Sequence, residues 1–519
     1  MKHQSVISIC TWVLTAAAFF CSGALADAAG VVYNDLNGNN VRDAGEEGIA
    51  GVQVSNGTDV VTTDSKGWYE ISVSDDCIIF VIKPSGWRTP IDENNLPLFY
   101  YIHKPVGSPS ELKFPGIKPT GPLPESIDFA LQRQDEPDEF NVFLFGDIQA
   151  RNHTEVNYFR HVIGEIDGSA AAFGISLGDN AFDRLDVLEG LNEAASGIGL
   201  PWYNTSGNHD INFVTEDDAG SLETFKSIYG PANYSFNYAN AHFIILDSIM
   251  VKKTEDGRVG YDEGLGREEL TFIANDLKHV DKDKLVVLLM HGGLHLFGSE
   301  RDELFALLKD FDNTLSIAGH NHYIRNIIYD ESENFHGEKP HLHFVAGAVC
   351  GGWWSGVPEP LTGIPHSMMR DGTPNGYAAL NVNGNEYSIK YKAFGRAEDY
   401  QMNIYAPDEV SAGKTAETVI LANIFAGSEK SLVQMRLDDS QWLEMQPSSE
   451  PDPYFVKMVE WEKNQNLARP NWSNNPESLH TWQANLLADI EQGLHVITVK
   501  TTDMFDQTFS SKKFIKITE

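Results

Sequence analysis

A chain of 519 residues is too long for a single hydrophobic core, and 42% hydrophobic with 22% charged residues excludes both a disordered and a membrane-embedded protein. A formal net charge of −36 repels nucleic-acid backbone and anionic lipid, so no nucleic-acid duplex is expected as a partner. Any phosphate site on such a chain needs a local positive field, which bound metal cations supply.

Residues 1–26 read as a secretory leader: Lys2 precedes a largely apolar run over residues 6–20, and Ala24, Leu25 and Ala26 put small residues where a signal peptidase cleaves. Export follows, to a periplasm or to the medium. No later run reaches the roughly 18 apolar residues of a membrane span, so no integral membrane segment is expected once the leader is removed. Cys10 and Cys21 leave with it. Cys77 and Cys350 remain, as an inter-domain disulfide or as two buried thiols.

Residues 27–132 alternate in short runs punctuated by Gly, Pro and Asn, the pattern of a small β-sandwich. Within it Asp35, Asn37, Asn39, Asp43 and Glu46 space oxygen donors as a calcium loop does, although the glycine falls early and no helix frames the loop. The segment is either a structural calcium site or a plain Asn/Gly turn. The stretch over residues 115–139, rich in proline and acid, reads as connecting chain, with the linker proper at 133–139. From 140 to 395 the periodicity changes. Apolar runs at 141–145, 171–177, 203–205, 242–246, 285–290, 314–318 and 342–345 alternate with helical stretches near 158–166, 186–195, 267–277 and 300–311. That alternation predicts a layered α/β domain. Residues 396–519 return to β texture, a second small sandwich.

Five clusters directly follow apolar runs: Gly146-Asp147-Ile148-Gln149, Gly178-Asp179-Asn180, Gly207-Asn208-His209-Asp210, Met290-His291-Gly292 and Gly319-His320-Asn321-His322. Ligands of open α/β sheets bind beyond the carboxyl ends of the strands, where Gly permits a sharp turn. A single Gly-Asp pair is usually a turn and a single His usually a satisfied side chain. The ordered set supplies carboxylate, amide and imidazole donors that suit two divalent ions of the Mn, Fe or Zn type.

In these motifs residues 140–325 resemble the calcineurin-like metallophosphoesterase superfamily, and the flanks at 101–129, 348–354 and 371–377 resemble a bacterial secreted subgroup whose phosphoesterase domain lies between N- and C-terminal β-domains. The resemblance implies a four-layer αββα fold and a small phosphate-ester substrate. It implies that Asp147, Gln149, Asp179 and His322 hold one metal, that Asp179 bridges, and that Asn208, His291 and His320 complete the second site. It further implies attack on phosphorus by a metal-held hydroxide, with Asn208 fixing the phosphate and His209 protonating the leaving group. Many members carry Asp-x-His where this chain has Asp147-Ile148-Gln149; others, similar to ADP-ribose/CDP-alcohol diphosphatases, carry Asp-x-Gln. A neutral amide oxygen there favours Mn or Fe. Asp183 either orients His209 or is a helix N-terminal acid. Trp353 and Trp354 either line the substrate cleft or pack the C-terminal sandwich. Two rivals stand beside a phosphate-ester hydrolase: a diphosphatase for nucleotide-alcohol substrates, and a surface binding protein with a vestigial metal site.

Overall fold

The computed structural model describes residues 26–215, 217–467 and 478–519. The expected leader, with Cys10 and Cys21, lies outside them except for Ala26. No helix among the described residues is long and apolar enough to cross a membrane.

The centre is built from β1 (Glu139–Phe145), α1 (His153–Ile163), β2 (Phe173–Leu177), α2 (Leu188–Ser196), β3 (Trp202–Thr205), α3 (Glu223–Tyr229), β4 (Tyr234–Tyr238) and β5 (Ala241–Ile245). There follow β6 (Ile249–Lys253), β7 (Val259–Glu263), α4 (Arg267–Asp276), β8 (Leu285–Met290), α5 (Glu300–Leu308) and β9 (Asn313–Ala318). The last are β10 (Ile324–Tyr329), β11 (His341–Ala346), β12 (Gly376–Asn383) and β13 (Glu386–Ala393). One sheet has the order β3-β2-β1-β12-β13, parallel through β1 to β3. The other runs β4-β5-β8-β9-β11-β10, parallel through its four middle strands. Unbroken apolar runs such as Leu285–Met290 are buried at every residue because both faces of the strand are covered.

Phe140 and Phe173 of the first sheet meet Phe236, Tyr238 and Phe243 of the second, with the Phe173 and Phe243 rings 5.3 Å apart. On the outer faces Phe159 of α1 packs on Phe145, and Phe305 of α5 on Tyr329. The order is therefore helix, sheet, sheet, helix. Helix α1 starts five residues before its expected position because the Asn152 side chain accepts from the backbone of Thr154 and Glu155 and caps it. The antiparallel ribbon β6–β7, rich in charge and glycine, has no apolar periodicity and was not expected.

Two four-stranded sheets precede the centre and share one continuous apolar core with it. The stretch read as connecting chain contains a strand, Phe129–Arg133, parallel to Ala26–Asn34. Beyond it Glu136 is pinned to Lys83 in a buried pair 2.7 Å long, and the same carboxylate accepts from Gly86 and Ala239. The C-terminal sheets, of four and five strands, have a separate core around Ile420, Val433, Trp482 and Val499.

In the loop at 35–46 the oxygens are spent internally. Asp35 accepts from the backbone of Gly38 and Asn40, Glu46 from Leu36 and Asp43, and Asp43 takes the amides of Asn37 and Asn39. This is the geometry of the Asn/Gly turn. Cys77 and Cys350 are both free thiols, Cys77 only partly buried, so they form no disulfide with each other.

His341 lies buried between Thr314 Oγ1 and Ser316 Oγ, each 2.7 Å from a ring nitrogen, and burial pushes its pKa down to about 3; burial also holds His343 well below the usual range. The unfolded chain takes up these protons near pH 6.5, so stability is complete above that pH and falls below it. Between pH 6.5 and 5 His341 alone should cost about 2 kcal/mol. Urea midpoints measured over this range are expected to fall less steeply for His341→Gln. Equal slopes for variant and wild type would refute this account.

Candidate active site

The five clusters sit at the carboxyl ends of β1, β2, β3, β8 and β9, on one rim of the paired sheets. Close approach dictates the glycines. A Cβ on Gly207 would stand 2.2 Å from the Asp179 nitrogen, and one on Gly319 would stand 2.7 Å from Asp147 Oδ2. Asp147, Gln149, Asp179, Asp183, His320, His322 and Trp353 all have φ between 41° and 73°, the left-handed region that side chains avoid. Such strain persists only where the surroundings enforce it.

The clusters converge. His291 Nε2 is 3.1 Å from Asn208 Oδ1 and 3.3 Å from Asp179 Oδ1, and His320 Nδ1 is 3.0 Å from Asn208 Oδ1 and 3.2 Å from His291 Nε2. His322 Nε2 lies 3.4 Å from Asp147 Oδ1, a buried oxygen without a hydrogen-bond partner. Donors about 2.1 Å from one cation at tetrahedral or octahedral angles stand roughly 3.0–3.4 Å apart, the spacing found here.

The far ring nitrogens complete the argument. His291 Nδ1 donates to Leu177 O at 2.8 Å, His322 Nδ1 to Gly351 O, and His320 Nε2 faces Glu263 Oε1 at 3.3 Å. Each imidazole thus spends its outer N–H on an oxygen and turns a lone pair inward, the arrangement of metal-binding histidines. The donor set fits divalent ions. Gln149 turns its amide nitrogen to Asp179 Oδ2 at 2.7 Å and its oxygen toward Cys350; half a turn of the amide presents the oxygen to the centre instead. Without cations the imidazoles hold protons in their place. Burial alone would lower the pKa of His291, but Asp179 and Asp147 more than offset it and raise it to about 9.

His209 stands beside this cluster. Its backbone N–H donates to Asp179 Oδ1 at 2.8 Å, its Nδ1 is 2.7 Å from Asp183 Oδ1, and its ring stacks on Phe182 with centroids 4.1 Å apart. Asp183 therefore contacts the histidine. Burial opposes protonation of His209, yet Asp179 and Asp183 raise its pKa. Asp210, buried, accepts from the backbone of Asn180, Ala181 and Gly207 and ties the second and third clusters together.

The two tryptophans part company. Trp353 is partly exposed, with its ring 4.4 Å from that of His322. Trp354 is buried, donates to Ile148 O at 2.8 Å and packs on Tyr158 of α1. Its ring lies inward under the first cluster.

Sequence reasoning missed Glu263, Phe182 and Asp210. Asp210 and Phe182 carried a signal, adjacency to His209 and Asp183; Glu263, on the ribbon, carried none.

Family comparison agrees with this geometry. Residues 35–118 match the N terminal of calcineurin-like phosphoesterase, and residues 343–509 match its C terminal. The chain carries the N-terminal and C-terminal domains of calcineurin-like phosphoesterases. No curated protein matches it. Among solved structures it is similar to a dimetal phosphatase from Danio rerio, at TM-score 0.35 and 14% identity over 50% of this chain and 97% of that one. It is similar also to the purple acid phosphatase PPD1 of yellow lupin, Lupinus luteus, at 0.37 and 15% over 66% of each chain. A third is GAP50, the anchor in the inner membrane complex of Plasmodium, at 0.31 and 13% over 50% and 85%. Scores this low do not establish a common fold, so the family assignment rests on the two terminal matches.

Replacing Asp179 by Ala should strip the calcineurin-like centre of metal, read as metal content by elemental analysis. Glu263→Ala should weaken metal affinity by about 10–100-fold in a chelator competition, since Glu263 orients His320. Unchanged affinity would show that the carboxylate does not hold the ring.

Proposed function

We propose that the protein is an exported, metal-dependent phosphoesterase that hydrolyses small phosphate esters with His209 as general acid. The observation that carries this reading is the placement of His209. Asp183 occupies its Nδ1 and Phe182 fixes its plane, so Nε2 is the nitrogen left to serve a ligand at the cluster. Asp147, Gln149, Asp179 and His322 would hold one cation and Asn208, His291 and His320 the other, with Asp179 between them. Two such ions, Mn, Fe or Zn by donor type, lower the pKa of water and offset charge on phosphate oxygens. The side chains do the rest. Asn208 helps to fix the ester, Asp183 holds the imidazole upright, and His209 gives its proton to the departing oxygen.

Export rests on the leader-like opening of the sequence. The flanking sheets are read as two β-sandwiches framing the catalytic layers, and a structural calcium at residues 35–46 would take its oxygens from Asp35, Asn37, Asn39, Asp43 and Glu46. A vestigial site is disfavoured because every ligand position carries a competent donor. The diphosphatase alternative stays within the same chemistry and is taken up below.

His209→Ala is expected to retain its metal and lose about 10²–10⁴-fold in turnover, more for an alkyl ester than for p-nitrophenyl phosphate. Equal activity of variant and wild type on the alkyl ester would remove His209 from the mechanism. Metal-loaded protein inert towards both p-nitrophenyl phosphate and bis-p-nitrophenyl phosphate would favour the binding-protein reading.

A further inference from the structure

Beside the ligand cluster opens a cavity of about 220 Å³, lined among others by His320, Asn321, His322, Trp353, Arg370 and Phe455. Whole drug-sized ligands occupy roughly 300–1,000 Å³, so this space suits one part of a molecule whose other part reaches His320 and His322. Three features describe that part. The partly exposed Trp353 ring, held by a left-handed backbone, gives a flat aromatic wall. Met368 and Phe455 give the cavity an apolar side. Arg370 is exposed at the rim, its guanidinium 4.8 Å from the Tyr323 ring centroid, and no carboxylate among the described residues pairs with it. Arg325 and Arg396 also have no acid partner among the described residues, but Arg370 is the arginine that lines this cavity.

We propose that this cavity is the subsite for the non-reacting part of the substrate, and that the substrate is a phosphate ester bearing a flat ring and a second anionic group. A nucleoside diphosphate is the simplest molecule of that class. The proposal rests on the phosphoesterase reading above and narrows it. Trp353 stacks the ring and Arg370 takes the second anion. The floor is Met368 and Phe455, the latter from α6 (Pro453–Glu462) of the C-terminal unit. That helix is anchored by Asp452, which caps it through the Phe455 N–H and is joined through Asn423 and His480 to Asp371, next to Arg370. Specificity is thereby assigned to the segment matched by the C-terminal family model, and ligation to the centre.

The test is calorimetric binding to the metal-loaded full chain of three probes: inorganic phosphate, adenosine 5′-monophosphate, and adenosine 5′-(α,β-methylene)diphosphate. The monophosphate should bind about tenfold more tightly than phosphate through stacking. The diphosphate analogue should gain about another tenfold through the charged contact. Trp353→Leu should abolish the first step and Arg370→Gln the second, while Arg370→Lys should restore part of the second and so separate a binding defect from a folding one. Three probes within threefold of one another in the wild type, or steps that survive both substitutions, would overturn the subsite. If phosphate alone fails to bind while the steps behave as stated, the subsite stands and the phosphoesterase reading falls. No binding by any probe overturns both.

Discussion

The structure depends on one electrostatic constraint: inward-facing carboxylates and imidazole lone pairs held about 3 Å apart in a buried place. Without cations such a cluster repels itself, which is why the protons of His291 are held so tightly. The backbone shares the cost. Asp147, Gln149, Asp179, His320 and His322 each sit at positive φ, a conformation costing of order 1–3 kcal/mol for a side chain that does not favour it. Summed, that approaches the roughly 5–15 kcal/mol by which a domain is stable at all. Only a scaffold that over-determines the loops can hold it, and the paired sheets with fully buried parallel strands are such a scaffold.

The flanking units serve the same end unequally. The N-terminal sheets are continuous with the central core and locked by Lys83 and Glu136, so they act as an extension of the scaffold. The C-terminal sheets have their own core and reach the site through polar contacts and through the apolar cluster of Met368, Phe455 and Val459. Asp371 Oδ2 accepts from the Ile324 N–H at 2.8 Å, two residues after His322, and faces His480 Nε2 at 3.0 Å. Every member of the chain from His480 through Asn423 to Asp452 and Tyr405 has a partner, and a buried polar network is stabilising only when fully satisfied. A domain attached this way can vary in sequence without disturbing the strands while still fixing what stands beside the histidines.

The strands and the ligand clusters were legible in the sequence because both are local signals. An apolar run followed by Gly and a donor reads the same whatever lies elsewhere in the chain. The expectation of helices, strands and layers in the centre therefore matches what is found. Glu263 was not legible because its role exists only through a ribbon without apolar periodicity that folds back over His320. Trp353 and Trp354 were not separable in the sequence, because they are adjacent, identical and both left-handed, and differ only in what packs around them. The loop at 35–46 shows the limit of such signals: donor spacing alone does not separate oxygens aimed at a cation from oxygens aimed at their own backbone.

Charge connects these observations to recognition. The net charge of −36 repels an anionic ester at a distance, but at physiological ionic strength fields between exposed charges fade beyond about 8 Å. What an ester meets at the rim is then the local field. There His320 and His322 share a cavity with Arg370, while Glu263 and Asp183 are committed to His320 and His209. Acids that surround a phosphate site would ordinarily weaken it. Here each one nearest the centre is bound to an imidazole, so its charge orients a ligand or a proton donor instead of opposing the substrate. An acidic protein can hold a phosphate ester on those terms, and only at the spot where its acids are spent.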